Sequence, residues 1–224
     1  MTGRSVARRI VLINPNTDAA ITTAMLEMAR RSAPPHIALQ GVTASRGSAL
    51  ILDPAALAVA AEAVAEIVAG LSPCDGVMIS AFGDPGLAAA RRLLACPVAG
   101  LAEASMARAA AGGRRFCVVT TTPALVPTID HAADAYGHGA SYAGTFCTSG
   151  DPMIVMRDPV RLPDALLATC ERAIAVSGVQ AIIIGGGPLA AAARAISGNI
   201  AVPIIEPIRA AMDMLASALL PGGR

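Results

Sequence analysis

The side chains that could act on a small molecule sit at the ends of short apolar runs. Ser80 closes the run Val77-Met78-Ile79 and precedes Ala81-Phe82-Gly83-Asp84-Pro85-Gly86, after which residues 87–94 are good helix formers. A serine so placed can attack a substrate carbonyl or donate a hydrogen bond to it, given a nearby base. The free N–H groups at a helix start can hold an anionic or carbonyl oxygen. The competing reading is local: serine caps or bonds backbone, the glycines serve a tight turn, and Asp84, before a proline, is an N-cap for the helix that follows. Asn14 in Asn14-Pro15-Asn16-Thr17, and Thr120 and Thr121 in Thr120-Thr121-Thr122-Pro123, offer amides and hydroxyls that both donate and accept. Glu206, directly after the last apolar run, is the best carboxylate for a general base or acid, with capping or a surface ion pair as the alternative. His131 reads as structural or solvated, and His36 and His138 fall in loops.

The elements that would position these groups alternate from end to end. Strand-like runs fall at 10–13, 38–43, 77–80, 97–100, 116–120, 141–146, 181–184 and 203–205, and helix-like runs lie between them, the pattern of parallel sheets with crossover helices. Three landmarks recur at one offset. Asn14 to Thr120 and Pro97 to Pro203 are each 106 residues apart, and Ala81 to Gly186 is 105. The chain thus reads as two copies of one α/β unit, residues 1–100 and 101–205, with 206–224 a C-terminal helix packing back on the first. Ligands in open parallel sheets lie beyond the carboxyl ends of strands. The expected cleft is therefore lined by 14–17 and 80–83 from one half, including Asn14, Ala81, Phe82 and Gly83. The other half brings 120–122 and 185–187, including Thr120, Thr121, Gly186 and Gly187.

Composition narrows the function classes. The 224 residues are 54% hydrophobic with a mean hydropathy of +0.60, much of it alanine, and suffice for a full core. A net charge of +1 with no long basic run argues against a nucleic-acid partner. The uncharged stretch 173–193 is interrupted by Gln180, Gly185-Gly186-Gly187 and Pro188, so it reads as helix end, strand, loop and new helix, with no membrane span. The basic stretch Met1 to Arg9 is followed by an apolar run too short for a signal peptide. Five cysteines without CxxC spacing argue against a disulfide framework or a zinc site, and a cytoplasmic location is the default.

Five pieces, in order along nearly the whole chain, carry a resemblance. They are Ile13-Asn14-Pro15-Asn16-Thr17, Phe82-Gly83-Asp84-Pro85-Gly86-Leu87, Ala102-Glu103-Ala104-Ser105, Val118-Val119-Thr120-Thr121 and Val202-Pro203-Ile204-Ile205. The sequence resembles the aspartate/glutamate/hydantoin racemase superfamily, its hydantoin and allantoin racemase branch most closely. The resemblance implies a pseudo-symmetric, two-lobed α/β fold, each lobe a parallel, Rossmann-like sheet with flanking helices. It also implies a small-molecule substrate between the lobes, no metal, no organic cofactor and assembly into homo-oligomers. Its chemistry would use two cysteines on opposite faces of the substrate's α-carbon, one thiolate removing a proton and the other thiol supplying one. The positions implied for them hold Ala81 and Gly186. Cys74, Cys96, Cys117, Cys147 and Cys170 read as structural. The resemblance then implies an enzyme on a hydantoin, ureide or amino-acid-like carboxylate without two-thiol proton transfer, with Ser80, Glu206 or water taking part. The alternatives are a thiol-free lyase, decarboxylase or ring-opening hydrolase, or a catalytically silent ligand-binding homologue.

Overall fold

The computed structural model describes residues 7–220. The first six positions of the basic N-terminal stretch and the last four of segment 206–224 lie outside the described residues. In order, the elements of the first half are β1 (Arg8–Asn14), α1 (Ala19–Ser32), β2 (Ile37–Thr43), α2 (Pro54–Ala69), β3 (Gly76–Ile79), α3 (Leu87–Leu93), β4 (Val98–Gly100) and α4 (Leu101–Ala110). Those of the second are β5 (Phe116–Thr120), α5 (Val126–Ala135), β6 (Tyr142–Cys147), α6 (Pro152–Arg157), α7 (Arg161–Ser177), β7 (Ala181–Ile184), α8 (Ala190–Ile196), β8 (Ile204–Ile205) and α9 (Pro207–Ala218).

They form two parallel four-stranded sheets, ordered β2-β1-β3-β4 and β6-β5-β7-β8. Replacing each strand of the first sheet by the one four places later in the chain gives the second sheet in the same order, so the repeat read at the landmarks extends to topology. The stretch 173–193 divides into the end of α7, β7, a glycine turn and the start of α8. No helix among the described residues is long and apolar enough to cross a membrane.

Both faces of each sheet are covered, which is why the central strands read as unbroken apolar runs. Side chains alternate across a strand, and the cores divide accordingly. Ile10 and Leu12 of β1 and Met78 of β3 share one core with Phe116 and Val118 of β5 and Ile183 of β7. Val11, Ile13, Val77 and Ile79 point the other way, toward α2 and α3. Cys117, Val119, Ile182 and Ile184 face α7 and α8. Helices α4 and α9 pack on each other in the shared middle layer. From there α4, which follows the first sheet, reaches β7 and β8 of the second, and α9, which follows the second, packs on β3 and β4 of the first. The two sheets are thus fused through one core, and only their carboxyl ends part to leave a cavity.

Candidate ligand cavity between the sheet ends

Beyond the carboxyl ends of β1, β3, β5 and β7 lies a cavity of about 70 Å³. Ser80, Ala81 and Phe82 line it from the first half, and 120–122 with 185–189 from the second. Ala81 and Gly186 therefore face one shared space. Apart from Asn16, the remaining wall is apolar: Ile21 and Met25 of α1, Leu125, Ile129 of α5, Met156 of α6, and the consecutive Leu50, Ile51 and Leu52. Among the described residues, no side chain lining it is ionisable.

The residues read from sequence meet different fates here. Ser80 lines the cavity but is 3% exposed, and its hydroxyl donates to the Ile13 carbonyl oxygen at 2.7 Å, tying β3 to β1. The helix start expected beside it lies further on. Helix α3 begins at Leu87, as its residue types indicate, but its N-cap Gly86 has no side chain to cap it and no residue of that helix lines the cavity. Thr120 is fully engaged, donating to the Gly185 carbonyl oxygen at 2.9 Å and lying 3.0 Å from the Thr122 hydroxyl. Thr121, 1% exposed, lines the cavity, and its buried hydroxyl has no hydrogen-bond partner among the described residues.

Asn14 does not reach the cavity. Its amide nitrogen lies 2.8 Å from Asn16 Oδ1, 3.0 Å from the Asp18 carbonyl oxygen and 2.9 Å from Thr22 Oγ1, so it fastens the turn after β1 to α1. Asn16, two residues on, is the one at the cavity wall. Glu206 is also elsewhere. It stands 3.4 Å from Arg194, is 39% exposed, and lines a groove on the far side of Gly186 and Gly187. His131 is exposed on α5.

Asp84 is a cap, but of a different helix. Its carboxylate accepts from Ala102 N at 2.9 Å and Glu103 N at 2.8 Å, the first turn of α4, and from the Tyr136 hydroxyl at 2.8 Å. The helix it serves has Gly100 as N-cap, where an added Cβ would sit 2.3 Å from the Asp84 carboxylate. The carboxylate thus takes the place of the capping side chain that Gly100 lacks. Burial pushes the Asp84 carboxyl up to about 6, against three donors that favour its charged form.

The glycine turn after β7 is shaped by what packs on it. A Cβ on Gly185 would lie 3.0 Å from the Phe82 ring and 3.1 Å from Val118 Cγ1. Gly186 has φ +145°, a backbone that L side chains rarely adopt, and its Cβ would meet Leu189 Cδ1 at 3.1 Å.

The whole chain can now be set beside known proteins. A family model described as Asp/Glu/Hydantoin racemase matches residues 10–215. The chain belongs to this racemase family. A hydantoin racemase from Rhizobium meliloti is 33% identical over 217 residues, covering 96% of this chain and 89% of that protein. Among solved structures, an allantoin racemase from Klebsiella pneumoniae superposes with a TM-score of 0.87 at 35% identity, over 95% of this chain and 87% of the other. Allantoin racemase from Pseudomonas fluorescens gives 0.89 at 28% identity, over 94% and 90%.

In this racemase-family chain none of the five cysteines lines the cavity. Cys117 and Cys170 are buried between β5 and α7, and burial pushes both up to about 12. Cys147 ends β6 beside Thr120, and burial raises its thiol too. Cys74 and Cys96 precede β3 and β4, at the opposite end of the first sheet. Among the described residues no group of three or more His, Cys, Asp or Glu is placed to hold a metal ion.

Sequence reasoning missed parts of the apolar wall. Residues 50–52 form an apolar triplet outside any helix or strand, and that mismatch was the available signal. Met156 lies on α6, a six-residue helix absent from the sequence reading, although Asp151 before Pro152 marks its start: Asp151 accepts from Met153 N at 2.8 Å. Asn16 lies within the expected 14–17 lining, but there Asn14 was named as the substrate contact, and it is Asn16 that lines the cavity.

Proposed function

We propose that this racemase-family chain binds a small neutral cyclic ureide, of the hydantoin or allantoin type, in the cavity between the sheet ends. It does so without two-thiol proton transfer, Ala81 and Gly186 standing where the family's chemistry calls for sulfur. The observation that carries the reading is that both positions share one cavity whose wall holds no ionisable side chain. A carboxylate ligand would lose its hydration there and gain no cation, which is strongly unfavourable. A neutral ring exchanges its carbonyl and N–H groups with the free Thr121 hydroxyl, Asn16 and the backbone of 185–187, and Ile21, Met25 and Ile129 suit an apolar substituent.

Two features argue against chemistry by a substitute group. Proton abstraction needs a base within hydrogen-bond reach, and Glu206 lies beyond the glycine turn, paired with Arg194. Ring opening or decarboxylation led by Ser80 needs a free, activated hydroxyl, and this one is committed to Ile13. Ligand recognition therefore outlives the thiol chemistry.

The test pairs thermal unfolding with deuterium exchange in D2O, using 5-substituted hydantoins, allantoin, aspartate and glutamate. A hydantoin or allantoin raises the Tm saturably, the amino acids do not, and deuterium enters the ring carbon no faster than in a protein-free control. Stabilisation by aspartate or glutamate alone sinks the neutral ligand. Exchange above the control sinks the loss of proton transfer.

A further inference from the structure

We propose that Cys74 and Cys96 are a redox-responsive thiol pair that closes to a disulfide on reaction with a low-molecular-weight disulfide such as oxidised glutathione. Cys74 lies two residues before β3 and Cys96 two residues before β4, and these strands pair in parallel with Val77 opposite Val98. That register brings together sulfurs 22 residues apart in sequence, to 3.8 Å. Both residues are half-buried, so a small co-reactant can approach, and Cys96 lines an open groove of about 330 Å³ beside Met214. Cys117 and Cys170, by contrast, are closed off at 0% exposure.

The exchange takes two steps. The Cys74 thiolate attacks one sulfur of the small disulfide, forming a mixed disulfide and expelling one small thiolate, which takes up the proton Cys74 gave up. Cys96 then loses its proton and attacks the Cys74 sulfur, forming the protein disulfide and releasing the second small thiol. Two protein thiols are oxidised and one small disulfide is reduced to two thiols. Burial, and then Cys74 beside it, push the Cys96 thiol up to about 11. Part of that rise disappears once Cys74 is capped and can no longer carry charge. Closing the bond needs a movement of roughly 2 Å between sulfurs, because a disulfide spans about 2.05 Å.

The consequence reaches the cavity. Residues 74–96 hold β3, the turn over 80–86 and α3, so the bond would fasten both ends of the segment that presents Ala81 and Phe82 to the ligand space.

The experiment incubates the full chain with oxidised glutathione, counts thiols after denaturation and maps linked peptides by mass. The unsubstituted chain is expected to lose two of its five thiols, to yield a Cys74–Cys96 linked peptide, and to recover all five with dithiothreitol. Cys96→Ser should stop at a glutathione adduct on Cys74. Retention of all five thiols, a lasting glutathione adduct on the unsubstituted chain, or loss that falls on Cys147 would each overturn the proposal. The linked peptide is read on the unsubstituted chain, so the outcome does not depend on how well a serine variant folds.

Discussion

The turn after β3 and the turn after β7 occupy equivalent places in the two halves and face the same cavity, yet they are held by different sets of contacts. The first is pinned by polar side chains: Ser80 bonds to Ile13, and Asp84 spans to α4 and Tyr136. The second has one polar tie, from the Thr120 hydroxyl to the Gly185 carbonyl oxygen, and is otherwise shaped by the absence of side chains, with Phe82 lying over Gly185 and Gly186 in a glycine-only backbone. A repeat therefore preserves the path of the chain and the direction of the strand ends, while the forces fixing each copy are free to diverge. Position 81 carries a Cβ at ordinary backbone geometry, whereas position 186 leaves no comfortable place for one.

This contrast can be broken from either side. The largest effect is expected from Asp84→Ala, which strips three donors of their acceptor at once, two of them in the first turn of α4. Denaturant unfolding should show a loss of roughly 4 kcal/mol, since each buried donor left unpaired costs about 1–3 kcal/mol. A loss below about 1 kcal/mol would mean that the first turn is not held by its polar network.

The same carboxyl gives a pH signature. Its folded value of about 6 lies above the ordinary 3.8, so between those two values the native chain holds a proton that the unfolded chain has released. Stability from this group is fully present below the unfolded value and is lost as pH rises through the folded one, by roughly 3 kcal/mol across the window. Unfolding free energies from pH 4 to 7 should fall with that slope in the native chain and lose it in Asp84→Asn.

A smaller effect separates positions 81 and 186 directly. Gly186→Cys should destabilise by roughly 1–3 kcal/mol, the scale of a non-glycine residue held at strained backbone angles. Ala81→Cys adds one sulfur toward open space and should stay within about 1 kcal/mol of the parent. Equal costs at both positions would remove the asymmetry. The smallest change concerns the ligand contact alone. Thr121→Val replaces an unpartnered hydroxyl and should leave the unliganded protein unchanged or up to about 1 kcal/mol more stable. Calorimetric affinity for the ligand that stabilises the parent should fall at the same time.

Much of the architecture was legible because its signals are local. Apolar runs at 10–13 and 181–184, and Asp53 ahead of Pro54, mark strands and a helix start within a few residues of where each acts. The capping role of Asp84 was readable from its type, but its helix was not, because the amides it meets lie 18 and 19 residues away and the tyrosine 52. Asn14 and Asn16 were indistinguishable as chemistry. In the structure both side chains join one hydrogen-bonded turn, and only Asn16 also lines the cavity.

By itself the sequence determined the two-sheet repeat, the family and the fact that positions 81 and 186 carry no sulfur, since periodicity, order and residue identity are properties of a linear chain. Only the tertiary structure decided that these positions face one another across a wall without charge, that Glu206 stands behind the glycine turn, and that Cys74 meets Cys96. Those outcomes depend on how strands far apart in the chain come into register and on which way each side chain then points, and neither is encoded within any one stretch.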